Sequence, residues 1–243
     1  MPTDSLGGRH DAALIRASAT VYVVDDDNPL REALRLLIHS VGLSVETWES
    51  AYEFLEALDP ERPGCLILDV RMPGMSGLDL MDELNRRGVH LPVIIITAHG
   101  SMRTAVQAMQ AGAMDCIDKP FSDQLLLDRI QQAIFLDDTT RRADADHASL
   151  SARLQALSPR ERQIMTAIVG GKTSKNIADE LGISKKTVDS HRAHVMEKMR
   201  ARTLADLVQI ATKAPAGAPP DDTQAATCSY STNSTSMPSG SRK

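Results

Sequence analysis

The 243-residue chain has a net charge of -5 and is 42% hydrophobic, a composition and length that suit two modest globular domains. It has no apolar run of the roughly 18 residues that a membrane span needs, and its first 20 residues lack the apolar core of a signal peptide, so we predict a cytoplasmic protein with no membrane partner. An odd number of cysteines without CxxC spacing argues against a disulfide framework or a cysteine zinc site: Cys65, Cys116 and Cys228.

Charge is divided unevenly along the chain. Residues 20–138 contain 9 Lys+Arg against 20 Asp+Glu, a net charge of -11, whereas residues 150–213 contain 12 against 6, a net charge of +6. An acidic half joined to a basic half predicts that the second half meets a polyanion while the first half has another task.

The first half has the pattern of an α/β domain. Residues 1–19 are small, polar and without periodicity, which predicts a disordered leader. From residue 20, short apolar runs alternate with segments of helical period, as in a parallel sheet covered by helices on both faces. We predict a flavodoxin-like (βα)5 fold over residues 20–136, with strand order 2-1-3-4-5. The predicted strands are residues 21–24, 43–48, 65–68, 93–96 and 114–117, and the predicted helices are residues 29–40, 50–58, 77–88, 101–111 and 122–136.

The second half contains only helical signals. Residues 137–154 are polar and Ala-rich, which fits a solvated helical linker and a disordered one equally well. Residues 155–212 predict an all-α domain of four helices, whose first helix opens with Ser158 as its cap and Glu161 completing a capping box. The Pro-, Ser- and Thr-rich residues 213–243 cannot bury enough apolar surface to fold, so we predict a disordered tail.

Acidic, hydroxyl and amino side chains stand at the carboxyl ends of four predicted strands. They are Asp25, Asp26 and Asp27 after the first strand, Asp69 after the third, Thr97 at the end of the fourth and Lys119 at the end of the fifth. These ends meet at one edge of a parallel sheet, where crowded carboxylates need a cation, and Mg2+ prefers oxygen ligands. The set therefore predicts a Mg2+ site with an aspartate nucleophile and two donors for phosphoryl oxygens. Each acid taken alone could also be an ordinary turn residue.

Four motifs at these strand ends resemble those of CheY-type receiver domains and extend the resemblance over the whole first domain. They are VVDDD (23–27), LDVRMPGMSG (68–77), IIITAHG (94–100) and DKPF (118–121). The resemblance implies that Asp69 accepts a phosphoryl group from a phosphohistidine on a sensor histidine kinase. It also implies that the chain is not an enzyme in the ordinary sense, since a receiver promotes only its own phosphorylation and dephosphorylation.

The same resemblance implies roles for the residues around Asp69. Asp26, Asp69 and the main-chain carbonyl of Arg71 would bind Mg2+ directly, and Asp25 would support the metal through water. Two further residues would contact the phosphoryl group: Thr97, which would swing toward it, and Lys119, which would pair with it. A cis bond before Pro120 could direct Lys119 inward.

Two features of the predicted receiver domain leave alternatives open. Cys116 stands where receivers usually carry Tyr, Phe or His, an aromatic that turns inward when the threonine moves, so the switch must depend more on Thr97 and on the 101–111 helix. Cys116 is either a redox-active thiol or an inert one, and a cysteine on a buried strand favours the inert thiol. Val106 and Met109 either contribute to a face through which resembling receivers dimerise, or pack against the sheet.

Residues 172–191 predict a helix-turn-helix, in which Gly182 permits the turn and Ser184 caps the second helix. The second helix has one inward stripe of apolar residues, Val188, Val195 and Met199. Its opposite face is free to contact a ligand and carries Lys185, Lys186, Asp189, Ser190, Arg192 and Ala193. The alternative is a helical bundle whose charged face is only solvated.

The segments LSPRERQIM (157–165) and GKTSKNIADELGISKKTVDSHRAHVMEKM (171–199) resemble the LuxR/FixJ-type DNA-binding domain. The resemblance implies base and backbone contacts with double-stranded promoter DNA from Lys186, Thr187, Asp189, Ser190, His191, Arg192 and Ala193. Asp189 replaces a lysine of many relatives, which bears on the operator sequence. The pair His191 and His194 could bind a metal, but no third ligand lies at a suitable sequence spacing, so phosphate contact or packing is favoured.

The two resemblances together predict a two-component response regulator. Phosphorylation of Asp69 would promote a homodimer that binds DNA, and the FixJ-type resemblance implies activation through RNA polymerase, with repression left open. One alternative is a phosphohydrolase with an aspartyl-phosphate intermediate, which is disfavoured because VRMP follows Asp69 and no second acid stands two residues on. A second alternative is a phosphate-sink or protein-binding module that does not need DNA.

Overall fold

The computed structural model describes residues 19–98 and 102–213, and the chain divides into two compact units between Ser149 and Leu150. The predicted leader and tail lie outside the described residues except at their inner edges, Ala19 and Lys213. Ala19 is buried in the core of the first unit, so the folded part includes the last residue of the predicted leader. Within the described ranges, no helix combines the length and apolar character that crossing a membrane requires.

Strands and helices alternate through the described part of the first unit, as predicted. The strands are β1 (Thr20–Val24), β2 (Ser44–Trp48), β3 (Gly64–Asp69), β4 (Val93–Thr97) and β5 (Asp115–Asp118). The helices are α1 (Asn28–Ser40), α2 (Ala51–Ala57), α3 (Gly77–Arg86), α4 (Met102–Gln110) and α5 (Asp123–Gln155). The described strands pair in parallel in the order β2-β1-β3-β4-β5, which confirms the predicted doubly wound sheet.

Each face of the sheet has its own apolar core, because strands covered by helices on both sides send alternate side chains to opposite faces. On β3, Leu66 and Leu68 belong to one core and Cys65 and Ile67 to the other. Helices α2, α3 and α4 cover the first core with Phe54, Leu80 and Ala108. Helices α1 and α5 cover the second core with Leu34, Ile38, Leu126 and Ile130.

Helix α5 continues through residues 137–154, for which the sequence left helix and disorder open. Its first part is anchored to the sheet by Asp137, whose buried carboxylate accepts a 2.9 Å hydrogen bond from the main-chain N–H of Gly64 at the start of β3. Arg141 pairs with Asp137 at 2.9 Å and donates to the carbonyl oxygens of residues 60, 61 and 62. These bonds hold the helix beyond residue 136 against the first unit.

The described part of the second unit is helical, as predicted. Its remaining helices are α6 (Pro159–Val169), α7 (Ser174–Leu181), α8 (Lys185–Met199) and α9 (Leu204–Thr212). Ser158 and Glu161 form the predicted capping box at the start of α6. The core of the unit joins buried side chains from all four helices: Ile164, Ile168, Ile177, Val188, Val195, Met199 and Leu207.

Candidate functional site

The predicted pocket lies at the carboxyl edge of the sheet, where three neighbouring strands end. Asp25 follows β1, Asp69 ends β3 and Thr97 ends β4, and all three side chains are buried. Lys119 follows β5, and its main-chain N–H donates to the carbonyl oxygen of Thr97 at 2.8 Å. The parallel order β1-β3-β4-β5 therefore brings four of the predicted residues to one edge.

Lys119 connects the two buried carboxylates of this pocket. Its Nζ donates to Oδ2 of Asp25 at 2.8 Å and to Oδ1 of Asp69 at 2.9 Å. Burial raises the pKa of Asp25, although the hydrogen bond from Lys119 opposes the rise. Burial alone would lower the pKa of Lys119, but its hydrogen bonds to Asp25 and Asp69 outweigh burial and raise it. The ammonium group is thus held in its charged form between two acids.

Main-chain groups fix the orientation of both carboxylates. The N–H of Asp27 donates to Oδ1 of Asp25 at 2.8 Å, and the N–H of Arg71 donates to Oδ2 of Asp69 at 2.7 Å. Arg31, which the sequence did not single out, donates from Nη1 to the carbonyl oxygen of Asp25 at 2.6 Å. These bonds hold the loops after β1 and β3 so that the acids face one another.

Helix α3 approaches Asp69 closely because its first residue is Gly77. A Cβ at this position would overlap the main-chain oxygen of Asp69, and the Gly77 N–H donates to the carbonyl oxygen of Val70 at 3.0 Å. The requirement for a residue without a side chain explains the glycine at position 77, at the end of the loop after β3. It also sets how near the start of α3 comes to the pocket.

Two other predicted residues closely follow the pocket acids in sequence. Asp26 and Arg71 are exposed beside the buried Asp25 and Asp69.

Cys116 is half-buried on β5, and burial, together with the negative charges of Asp118 and Asp115, raises the pKa of its thiol. A raised thiol pKa disfavours the reactive thiolate, so the inert interpretation of Cys116 fits its surroundings better than a redox role.

The pocket suits a hard divalent cation. It brings the carboxylates of Asp25 and Asp69 to one shared partner, Lys119, and carboxylate oxygens are ligands that Mg2+ prefers. The raised pKa of Asp25 shows that burial penalises its negative charge, and a bound cation would relieve that penalty. The residues present therefore fit the predicted metal.

The predicted helix-turn-helix consists of α7 and α8. Gly182, at the end of α7, has a φ of 64°, a left-handed conformation that glycine adopts without strain. Ser184 caps α8 by accepting a 3.1 Å hydrogen bond from the N–H of Thr187. Val188, Val195 and Met199 are fully buried, so the inward stripe is the predicted one.

The opposite face of α8 is open near the start of the helix. Six of the predicted DNA-contact residues are exposed: Lys185, Lys186, Thr187, Asp189, Ser190 and Ala193. The other two, His191 and Arg192, are half-buried. This face offers positive charge, hydroxyl groups and one carboxylate next to a helix N-terminus, a combination that suits phosphate and base-edge contacts.

A third potential metal ligand lies beside the two histidines of α8. Sequence spacing offered no third ligand for His191 and His194, yet Glu161 of α6 lies beside them, and one ligand atom from each residue lies within 4.8 Å of the other two. Packing of α6 on α8 supplies Glu161 from 30 residues away, which spacing along one helix cannot reveal. The pKa of Glu161 is lowered to about 2, mainly by the hydrogen bond from Lys198 and to a smaller extent by the hydrogen bond from the main-chain N–H of Ser158.

Both units match known families over most of their lengths. The model of the response regulator receiver domain matches residues 21–131, and that of the bacterial regulatory proteins of the luxR family matches residues 155–211. Nodulation protein W of Bradyrhizobium diazoefficiens is 45% identical over 84% of this chain and 88% of its own length. Transcriptional regulatory protein FixJ of Azorhizobium caulinodans is 43% identical over 84% of this chain and 97% of its own.

The chain is a FixJ-like response regulator. It belongs to the family of transcription regulators that join a receiver domain to a LuxR-type DNA-binding domain. A solved structure of the response regulator StyR is 44% identical and has a TM-score of 0.78, covering 81% of this chain and all of the StyR chain. Membership in a family of regulators rather than enzymes is consistent with the predicted absence of phosphohydrolase activity.

The sequence analysis did not single out two residues that support the pocket of this response regulator, Arg31 and Gly77. Arg31 looks like one of several charged positions on α1, and only its burial and its bond to Asp25 reveal its role. Gly77 had a clearer signal, because a glycine that opens a helix near a predicted pocket indicates a close approach of the backbone.

Proposed function

We propose that a sensor histidine kinase phosphorylates Asp69 and that this modification controls DNA binding by the second unit. The observation that carries the proposal is the position of Lys119, whose Nζ lies 2.9 Å from Asp69 and 2.8 Å from Asp25. A phosphoryl group added to Asp69 would carry a charge of about -1.5 to -2 at neutral pH. The ammonium group of Lys119 is close enough to form an ion pair with it.

The transfer itself needs a carboxylate oxygen of Asp69 as the nucleophile and an accessible phosphorus atom. An oxygen of Asp69 attacks the phosphorus of the kinase phosphohistidine, the P–N bond breaks with its electron pair left on the imidazole, and an acyl phosphate forms. The N–H of Arg71, 2.7 Å from Oδ2, orients the carboxylate during the attack. Thr97 and Lys119 then contact oxygens of the new phosphoryl group.

Mg2+ would be held by the carboxylates of Asp26 and Asp69 and the carbonyl of Arg71, with Asp25 acting through water. When bound, the metal neutralises the charge of the acids and of the group being transferred. Asp25 supports this role because it is buried, oriented by the N–H of Asp27 and placed next to Asp69 through their shared partner Lys119.

Phosphorylation then promotes a homodimer through the first unit. Val106 and Met109 of α4 are 48% and 51% exposed, so they do not serve mainly to pack against the sheet and are available for such a contact. In a dimer, two second units read DNA half-sites about one helical turn apart, and their linkage raises the overall affinity.

The proposed DNA contacts lie at the start of α8. Lys185, Lys186 and Arg192 suit phosphates, and Thr187, Ser190, His191 and Ala193 suit base edges or the backbone. Asp189 can accept from the amino group of cytosine and so contribute to operator choice. Activation through RNA polymerase in the cytoplasm completes the proposal.

Labelling with acetyl phosphate tests the first step. Wild type should gain the mass of one phosphoryl group in the presence of Mg2+, whereas Asp69→Ala and wild type with EDTA should gain none. Asp128→Ala is the matched control, since Asp128 is an exposed acid of α5 that accepts a hydrogen bond from Gln124 of the same helix. Equal labelling of wild type and Asp69→Ala would remove Asp69 as the acceptor.

Enrichment of genomic DNA fragments tests the second step. Beryllofluoride, a phosphoryl mimic, should make wild type enrich discrete fragments. It should not change which fragments Asp69→Ala binds. Enrichment that does not depend on beryllofluoride would separate DNA binding from phosphorylation, and no enrichment by either protein would contradict the DNA-binding proposal.

A further inference from the structure

Three potential metal ligands converge beside the DNA-recognition helix α8. They are Glu161 of α6 and the pair His191 and His194 of α8, and one ligand atom of each lies within 4.8 Å of the others. Oε1 of Glu161 is 3.7 Å from Nδ1 of His194. Ligands of a tetrahedral zinc ion with bonds of about 2.0–2.1 Å are about 3.4 Å apart, so binding one ion would require these ligand atoms to move closer together by at most about 1.4 Å.

The carboxylate of Glu161 is already held in place for such a role. Its Oε2 accepts from the N–H of Ser158 at 2.8 Å and from Nζ of Lys198 at 2.7 Å. These two bonds leave Oε1 directed toward His194 and fix the carboxylate as outer-sphere hydrogen bonds fix metal ligands. The side chain of Glu161 is only 6% exposed whereas that of His194 is 56% exposed, so the cluster has a rigid base and an open entrance.

We propose that Glu161, His191 and His194 bind a late first-row divalent transition metal, with Zn2+ as the representative ion and water as the fourth ligand. Two imidazoles and one carboxylate suit zinc, copper and nickel, whereas Mg2+ prefers oxygen ligands alone. The nearby ammonium of Lys198 repels a cation, which limits the affinity of the site.

A metal in this site would connect α6 to α8 and engage His191. Because His191 is one of the proposed DNA contacts, the metal and DNA would compete for the same imidazole. This consequence rests on the proposed DNA-binding function, whereas metal binding itself does not.

Zinc titration of the untagged full-length protein against a chromophoric chelator tests the site directly. Millimolar Mg2+ is included to occupy the acidic pocket of the first unit. Removing a ligand with His194→Gln or His191→Gln should weaken the binding of one zinc equivalent by about tenfold or more, since even outer-sphere changes cost about that much. The control His90→Gln removes an exposed histidine of the first unit and should bind zinc like wild type.

A second measurement guards against misfolded variants. Zn2+ should raise the unfolding temperature of wild type and of His90→Gln, and should leave that of His194→Gln unchanged while its circular dichroism spectrum matches wild type. Equal zinc affinity and stoichiometry in wild type, His191→Gln and His194→Gln would overturn the proposal and leave only an ion pair between Glu161 and a protonated His194.

DNA binding gives a separate result. Zn2+ should weaken operator binding by wild type. It should not weaken operator binding by His194→Gln, because this variant lacks one of the metal ligands. The variant should still bind the operator, because His194 is not among the proposed DNA contacts. If zinc binds with the expected variant pattern and DNA affinity does not change, the metal site stands and the proposed contact from His191 fails.

Discussion

Lys119 reaches Asp69 across the end of an intervening strand. Its Nζ lies 2.9 Å from Oδ1 of Asp69, although β4 stands between β3 and β5 and 50 residues separate the two side chains in sequence. The buried Thr97 ends that intervening strand. In the phosphorylation that we propose, the ammonium of Lys119 and the hydroxyl of Thr97 would contact the group added to Asp69. The proposed modification of one strand end would thereby affect two others.

Asp25→Asn should stabilise the metal-free protein at neutral pH while impairing phosphorylation. Burial raises the pKa of Asp25 above 3.8, so its charged form costs stability at pH values above the raised pKa. Removing this charge should therefore raise the free energy of unfolding at pH 7. The gain should shrink as the pH falls through the raised pKa toward 3.8, because wild-type Asp25 then becomes neutral as well.

Urea denaturation in EDTA measures the stability change, and acetyl-phosphate labelling in Mg2+ measures the loss of function, which should be about tenfold or more. Asp27→Asn is the matched control, because Asp27 caps α1 through its side chain and asparagine caps a helix equally well. A variant Asp25→Asn that is less stable than wild type at pH 7 would contradict the expected sign.

Asp137→Ala should destabilise the first unit strongly. The substitution leaves the N–H of Gly64 and the guanidinium of Arg141 without the buried carboxylate that binds both. Breaking a buried, hydrogen-bonded pair costs about 3–5 kcal/mol. Thermal or urea unfolding followed by the fluorescence of Trp48, the single tryptophan, reports on this unit.

Asp138→Ala provides an internal comparison one residue along the same helix. Asp138 pairs with Arg142 four residues on, as Asp137 does with Arg141, but the Asp138–Arg142 pair lies at the surface. Its loss should cost less than about 1 kcal/mol. Similar costs for the two variants would mean that Asp137 does not anchor α5.

The sequence was sufficient to predict the sheet order and the pocket, because strict alternation of strands and helices brings strand ends to one edge. It could not decide whether residues 137–154 were helical, since an Ala-rich polar segment has both helical propensity and the composition of a linker. Nor could it predict that Arg141 binds the carbonyls of residues 60–62 or that Glu161 joins the two histidines. Both contacts depend on how helices pack, and neither leaves a local pattern in the chain.

Glu161→Gln should destabilise the metal-free second unit at neutral pH by about 2 kcal/mol, the range of a hydrogen bond to a charged group. The hydrogen bond from Lys198, followed by that from Ser158, lowers the pKa of Glu161 from 4.5 to about 2. A lowered folded-state pKa means that the stabilisation is complete above 4.5 and is lost as the pH falls toward 2.

The difference between wild type and Glu161→Gln should therefore narrow on acidification from pH 7 to pH 3. Circular dichroism during urea unfolding in EDTA measures this difference in the free energy of unfolding. Glu180→Gln is the control, since Glu180 forms an exposed ion pair with Lys172 and its loss should change stability little at any pH. A pH-independent cost for Glu161→Gln would show that its charge does not contribute.

Lys186→Ala and Asp189→Ala should affect DNA binding in different ways. Both side chains are exposed near the start of α8, but lysine pairs with phosphates of any sequence whereas aspartate can read a cytosine amino group. Lys186→Ala should weaken binding to all duplexes and reduce the slope of log K against log salt by about 1. Asp189→Ala should leave the salt slope almost unchanged and alter which fragments the activated protein enriches.

Arg35→Ala, on an exposed part of α1 in the first unit, should change neither property. An unchanged salt slope in Lys186→Ala together with unchanged fragment preference in Asp189→Ala would show that this face of α8 does not contact DNA.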